Sequence, residues 1–231
     1  MDWAEQKVAQ LKQALREKGL ETGGLKAALA ARLVAAESAA AGDAFFDLTG
    51  GQRLRLRTIG LKLVGEAGGE QREIRPDEPS SFAVQVHREG IEIENIQVSN
   101  HAADVDCAVG VDEGGSVEVK GCDLRGRVFV VDGGTLLLKD SRVHHCTDAG
   151  VFVLGIADIQ DSIVEDGRAQ GIFVQRTGNS TISGTKIRRN VMYGMIVNGE
   201  ATIKNSSVTA NGKSGVLAWR TTRSARPAAP S

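Results

Sequence analysis

Residues 135–153, TLLLKDSRVHHCTDAGVFV, are followed by IADIQDSIVEDGRAQGIFV (156–174) and then by NSTISGTKIRRNVMYGMIV (179–197). The three agree in pattern more than in identity. Each opens on a run that alternates small or apolar residues with polar ones, the period of a strand with one face turned inward. A turn-type residue follows (Asp140, Asp161 or Gly184), then a hydroxyl residue and a second short run centred on Val or Ile. A glycine then leads a third short apolar run. One such unit cannot bury its own apolar face, so its copies must stack.

The pattern extends in both directions. Its turn-type positions are Asn95, Gly121, Asp140, Asp161, Gly184 and Asn205, separated by 26, 19, 21, 23 and 21 residues. The glycine-led strands are GVFV from Gly150, GIFV from Gly171, GMIV from Gly194 and GVLA from Gly215, with weaker forms in RVFV from Arg127 and FAVQV from Phe82. A near-constant period with two or three short strands and no helical segment reads as a parallel solenoid, whose coils bond to their neighbours at a spacing of ~4.8 Å. Residues 82–219, and more loosely 50–81, resemble the right-handed parallel β-helix repeats of the pectin-lyase-like superfamily. The resemblance implies an all-β fold of about seven short coils. It implies a fold and not an activity.

Strand parity assigns faces. With Val128 and Val130, Val151 and Val153, Ile172 and Val174, Met195 and Val197, and Val216 and Ala218 inward, the residues between them point out. Those residues are Phe129, Phe152, Phe173, Ile196 and Leu217, which stacking would align into an apolar stripe. An outward apolar ladder calls for a cover or a partner. The expected occupants are a protein partner, another copy of the chain, or an N-terminal segment such as Phe45–Phe46. The alternating run before the corner instead presents Glu92, Glu94, Glu118, Lys120, Lys139, Asp158, Gln160 and Lys204, a solvated face.

The best constellation for catalysis lies just past the hydroxyl corner. His145, Asp166 and Arg189 hold equivalent places in consecutive coils, as do His144, Glu165 and Arg188. A carboxylate stacked between an imidazole and a guanidinium is suited to acid–base work on an acidic sugar. Opposite charges on adjacent coils also form plain surface ion-pair ladders, and that reading is favoured here. The coil spacings leave no room for the long loops that wall a cleft. The expectation is therefore a protein without enzymatic activity, cofactor or metal. Cys122 shares its stacked position with Ile96, Ser141, Ser162, Thr185 and Ser206, which marks it as core filler rather than nucleophile.

The N-terminal region has another period. Val8, Leu11 and Leu15 share one helical face, Gly19 suits a helix C-terminus, Thr22 suits a cap, and Leu25, Leu29 and Leu33 resume the apolar face. VAQLKQALREKGLETGGLKAALAARL resembles the SAP motif, a helix–extended turn–helix module. It matches at Val8, Leu11, Leu15, Gly19, Leu20, Thr22, Gly24, Lys26, Leu29, Arg32 and Leu33. The resemblance implies binding to DNA, often AT-rich, with RNA as the variant. On physical grounds the start of the second helix offers free N–H groups to phosphate, and Gly23 and Gly24 leave room for it. Arg16, Lys18, Thr22, Gly23, Gly24, Lys26 and Arg32 are the candidate contacts. The alternative is a helical cap on the end of the solenoid.

Bulk properties set the remaining limits. The 231 residues carry a formal net charge of −1, which gives the whole molecule no strong pull toward nucleic acid or an anionic membrane. The charge is uneven: past Glu200 the chain has no acid but carries Lys204, Lys213, Arg220, Arg223 and Arg226. Three cysteines are unlike a disulfide framework, and no run of ~18 apolar residues occurs. With no apolar leader at the start, the expected location is intracellular, and nuclear if DNA is the partner. The expected organisation is a SAP-like module at 1–37, a linker or cap at 38–53, the β-helix at 54–219 and a basic disordered tail at 220–231. The leading functional reading is an adaptor that binds DNA or RNA and presents a protein-binding face. The alternative is a β-helix that binds or modifies carbohydrate, with lyase, epimerase or hydrolase character.

Overall fold

The computed structural model describes residues 13, 54–57, 60–65, 73–76, 81–100 and 107–219. The chain divides into two units, Met1–Leu48 and Thr49–Ser231. In the first, Gln13 is helical and exposed. The expected phosphate contacts Arg16, Lys18, Thr22, Gly23, Gly24, Lys26 and Arg32 lie outside the described residues, as do Phe45–Phe46, the segment 38–53 and the tail 220–231.

In the second unit short strands build three parallel sheets, the first of eight strands and the other two of seven. That makes seven coils and one further strand. A typical coil runs from Arg127–Val130 in the first sheet to Thr135–Lys139 in the second and Arg142–His144 in the third. The next repeats it with Val151–Val153, Ile156–Gln160 and Ile163–Glu165, residue over residue. The unit is thus a right-handed parallel β-solenoid, all-β as its periodicity requires.

The inward columns are continuous. Val143, Val164 and Ile187 stack in the third sheet and Leu138, Ile159 and Ile182 in the second, each at most 1% exposed. Full burial of one such side chain stabilises by about 1.5–3 kcal/mol. The column is what repays the cost of ordering short strands that would not persist alone.

Two corners frame the third sheet, and both need left-handed backbone. At the first, Asn95 (φ 56), Asp140 (48), Asp161 (48), Gly184 (59) and Asn205 (49) turn the chain. These are residue types that tolerate αL at low cost. The next residue of each coil then builds a ladder. Ser162 Oγ donates to Gln160 O at 2.7 Å and accepts from Ser141 N at 3.2 Å, while Ser141 Oγ donates to Lys139 O at 2.6 Å and accepts from Cys122 N at 3.1 Å. Thr185 and Ser206 continue it. The hydroxyls thereby satisfy backbone N–H groups that the turn removes from the sheets.

The glycine that leads the first-sheet strand has a different cause. At Gly171 an added Cβ would lie 2.6 Å from Ile187 Cγ2 and 2.7 Å from Gly194 O. Close approach of neighbouring coils, not backbone conformation, demands glycine there.

Candidate functional site

Along the outward face of the first sheet, Phe129, Phe152, Phe173, Ile196 and Leu217 stand in register, one per coil. The rings of Phe129 and Phe152 are 5.3 Å apart and tilted by 41°, and those of Phe152 and Phe173 are 5.1 Å apart at 70°. These are favourable tilted and edge-to-face pairs. Each ring shields the next, so all five residues are half-buried rather than fully exposed. The Arg127 guanidinium lies 5.2 Å from the Phe129 ring centre and bonds Asp148 at 2.9 Å. One extension was missed by parity. A Cβ at Gly110 would fall 2.5 Å from the Phe82 ring, so that ring lies over the glycine in the stripe's own row. The signal in the sequence was the glycine in a strand otherwise rich in valine.

The second sheet is knit by ion pairs. Lys62 reaches Glu92 at 2.8 Å and Glu94 at 3.4 Å, and Lys120 reaches Glu94 at 3.1 Å. Two shallow depressions lie on this face, around Glu94 and around Glu118. Neither includes a residue of the corner past the third sheet.

That corner carries the charged cluster. His145, Asp166 and Arg189 have φ of 54, 56 and 54°, which is uncommon for side chains of this size. The backbone turns them outward, one above another. Beside them His144, Glu165 and Arg188 stack in register at the end of the third sheet. Glu165 is 3% exposed and sits among three guanidinium groups. Arg142 Nε, Arg188 Nε and Arg189 Nη2 each donate to it at 2.7 Å. Burial opposes its ionisation, but the hydrogen bonds from Arg188 and Arg142 and the nearby positive charges outweigh burial. Its carboxyl is held below the ordinary range. Arg189 also grips Asp166 through Nε at 2.8 Å and Nη2 at 3.0 Å, and this bonding lowers the Asp166 pKa.

His145 does not join that pair. Its Nδ1 faces Nδ1 of His144 at 2.5 Å, the rings standing edge to face, and His144 Nε2 meets Asp123 at 3.0 Å. Burial, followed by the His144 charge, lowers the His145 pKa. The structure therefore brings together Asp166 and Arg189 of the expected trio and turns the imidazole aside. The participation of Arg142 was also missed. It belongs to another column, and only the side-chain length of arginine lets it cross to Glu165.

Cys107, Cys122 and Cys146 are free and buried. Cys122 points its thiol at the carbonyls of Lys120 (3.3 Å) and Ile93 (3.4 Å), the place the hydroxyls take in later coils. Burial pushes its pKa up to about 11, which leaves little thiolate at neutral pH.

A stack of parallel coils with a stripe on one face and a locked ion cluster on a corner defines a solenoid protein with no walled cleft at that cluster. The model described as a right-handed β-helix region matches residues 80–226, and the chain belongs to this family. A SAP domain model matches residues 3–37. No curated protein and no solved structure gives a significant match.

Proposed function

We propose that the chain is a non-enzymatic adaptor whose SAP domain binds DNA, or RNA as the variant, while its β-helix presents a protein-binding face. The observation that carries this reading is the SAP match at residues 3–37 on the same chain as the β-helix. The half-buried aromatic stripe supports the second part, because a contiguous apolar ladder of this kind fits a protein surface. A place inside the cell, with its nucleic acid, belongs to the same proposal.

The polysaccharide-modifying alternative has its best acid–base group in Asp166, and Arg189 occupies that carboxylate. A carboxylate so paired is a poor proton acceptor near neutral pH. Residues 1–37 carry a net charge of only +1, so the affinity expected of one module is modest and strongly salt-dependent.

Fluorescence anisotropy with an AT-rich duplex over a salt series tests the reading. Thr22→Pro combined with Lys26→Glu is expected to weaken binding by about tenfold or more, since it removes a helix start and a phosphate contact. Absence of binding by the unaltered chain in dilute buffer overturns it. So does release of reducing ends from a uronic-acid polymer that Asp166→Asn abolishes.

A further inference from the structure

The last coil differs from those before it. In the second sheet Ile182 is fully buried, yet Ile203, next in the same column, is 39% exposed. In the first sheet Met195 is fully buried and Val216 above it is 44% exposed. Among the described residues, no strand follows Glu200–Lys204 in its sheet. Its backbone groups split between two directions. Glu200 N donates to Gly178 O at 2.9 Å, and Lys204 O accepts from Gly184 N at 3.2 Å, so both bond back to the preceding coil. Alternation along the strand turns the N–H and C=O of Ala201 and Ile203 to the open side. An edge of this kind, with no proline, bulge or inward charge, is a template for another strand.

We propose that Glu200–Lys204 pairs antiparallel with the same strand of a second copy, about a two-fold axis through Thr202, joining two solenoids end to end. The sequence EATIK is self-complementary in that arrangement. Glu200 falls opposite Lys204 of the other copy, and Lys204 opposite its Glu200. Neither residue has an ion-pair partner of its own among the described residues. Thr202 meets itself at the axis. Ala201 and Ile203, whose backbone groups face the open side, form the hydrogen-bonded pairs, and their inward side chains set small against large. The same rotation turns the exposed Ile203 and Val216 toward their counterparts, so the open end of the apolar column is covered. Because the contact is isologous, assembly stops at two copies and does not run on into a fibre. The inference is independent of nucleic-acid binding and of the aromatic stripe, which lies on the side of the solenoid.

Light scattering coupled to size-exclusion chromatography, on the nuclease-treated full chain at a series of concentrations, tests it. A dimer at twice the 24.4 kDa of one chain is expected. Glu200→Lys and Lys204→Glu should each raise the dimer dissociation constant about tenfold or more, since each puts like charges opposite one another on both sides of the axis. The double exchange, Glu200→Lys with Lys204→Glu, should bring it back to within about threefold of the original. A chain that stays monomeric at every concentration overturns the proposal, its end then being covered by another segment of the same chain. A dimer indifferent to the charge reversals, or one lost on Phe152→Asp instead, overturns it equally.

Discussion

The two corners that flank the third sheet set the same conformational requirement and meet it with opposite chemistry. Each requires a residue at positive φ in nearly every coil. The corner before the third sheet uses Asn95, Asp140, Asp161, Gly184 and Asn205, followed by hydroxyls that bond neighbouring backbone. The corner after it uses His145, Asp166 and Arg189, whose side chains leave the backbone and engage charges on adjacent coils. The first corner therefore works through short-range bonds within the stack. The second accepts three strained residues and recovers stability from an ion cluster around Glu165. Strain tolerated for the sake of charge is what sets this corner apart from ordinary solenoid architecture.

The sharpest way to break the contrast is Glu165→Gln. It leaves three guanidinium groups without their common carboxylate, and a loss of about 2 kcal/mol is expected in urea unfolding at neutral pH. The sign with pH follows from the lowered Glu165 and Asp166 values. Groups whose folded pKa is depressed contribute stability above their unfolded pKa and lose it as pH falls through the folded value. The gap between the variant and the original chain should hence narrow below pH 4.5, the ordinary value for Glu165. A gap that stays constant down to acid pH would show that the cluster acts by packing and not by charge.

Ser162→Ala probes the other corner. It removes the acceptor of the buried Ser141 N–H, and a loss of about 1–2 kcal/mol is expected by the same measurement, with no dependence on acid pH. The smallest effect has the opposite direction. His145→Gly relieves the αL backbone without touching the Asp166–Arg189 pair and should raise stability by about 0.5–1 kcal/mol. Asp161→Gly, at the other corner, should change stability by less, because Asp already tolerates that conformation. Equal gains from the two glycines would erase the distinction.

Much of the scaffold was legible because a stacked repeat turns sequence offset into spatial neighbourhood. The equivalence of Asn95, Asp140, Asp161 and Asn205, the outward stripe from Phe129 to Leu217, and the column His144–Glu165–Arg188 all followed from period and parity. Sideways relations did not follow. The reach of Arg142 to Glu165, the turning of His145 toward His144 and the seat of the Phe82 ring over Gly110 all run between columns. Side-chain length and rotamer decide such contacts, and neither has a period.

By itself the sequence determined that the chain would coil, which residues would line the core, and that a helical module of another kind precedes the solenoid, because alternation, turn residues and helical spacing are local properties. Only the tertiary structure decided which charges neutralise one another. It also decided why Gly171 must lack a side chain, and that the core column opens at Ile203 and Val216. Those depend on distances between segments far apart in the chain, which exist only once the coils are packed.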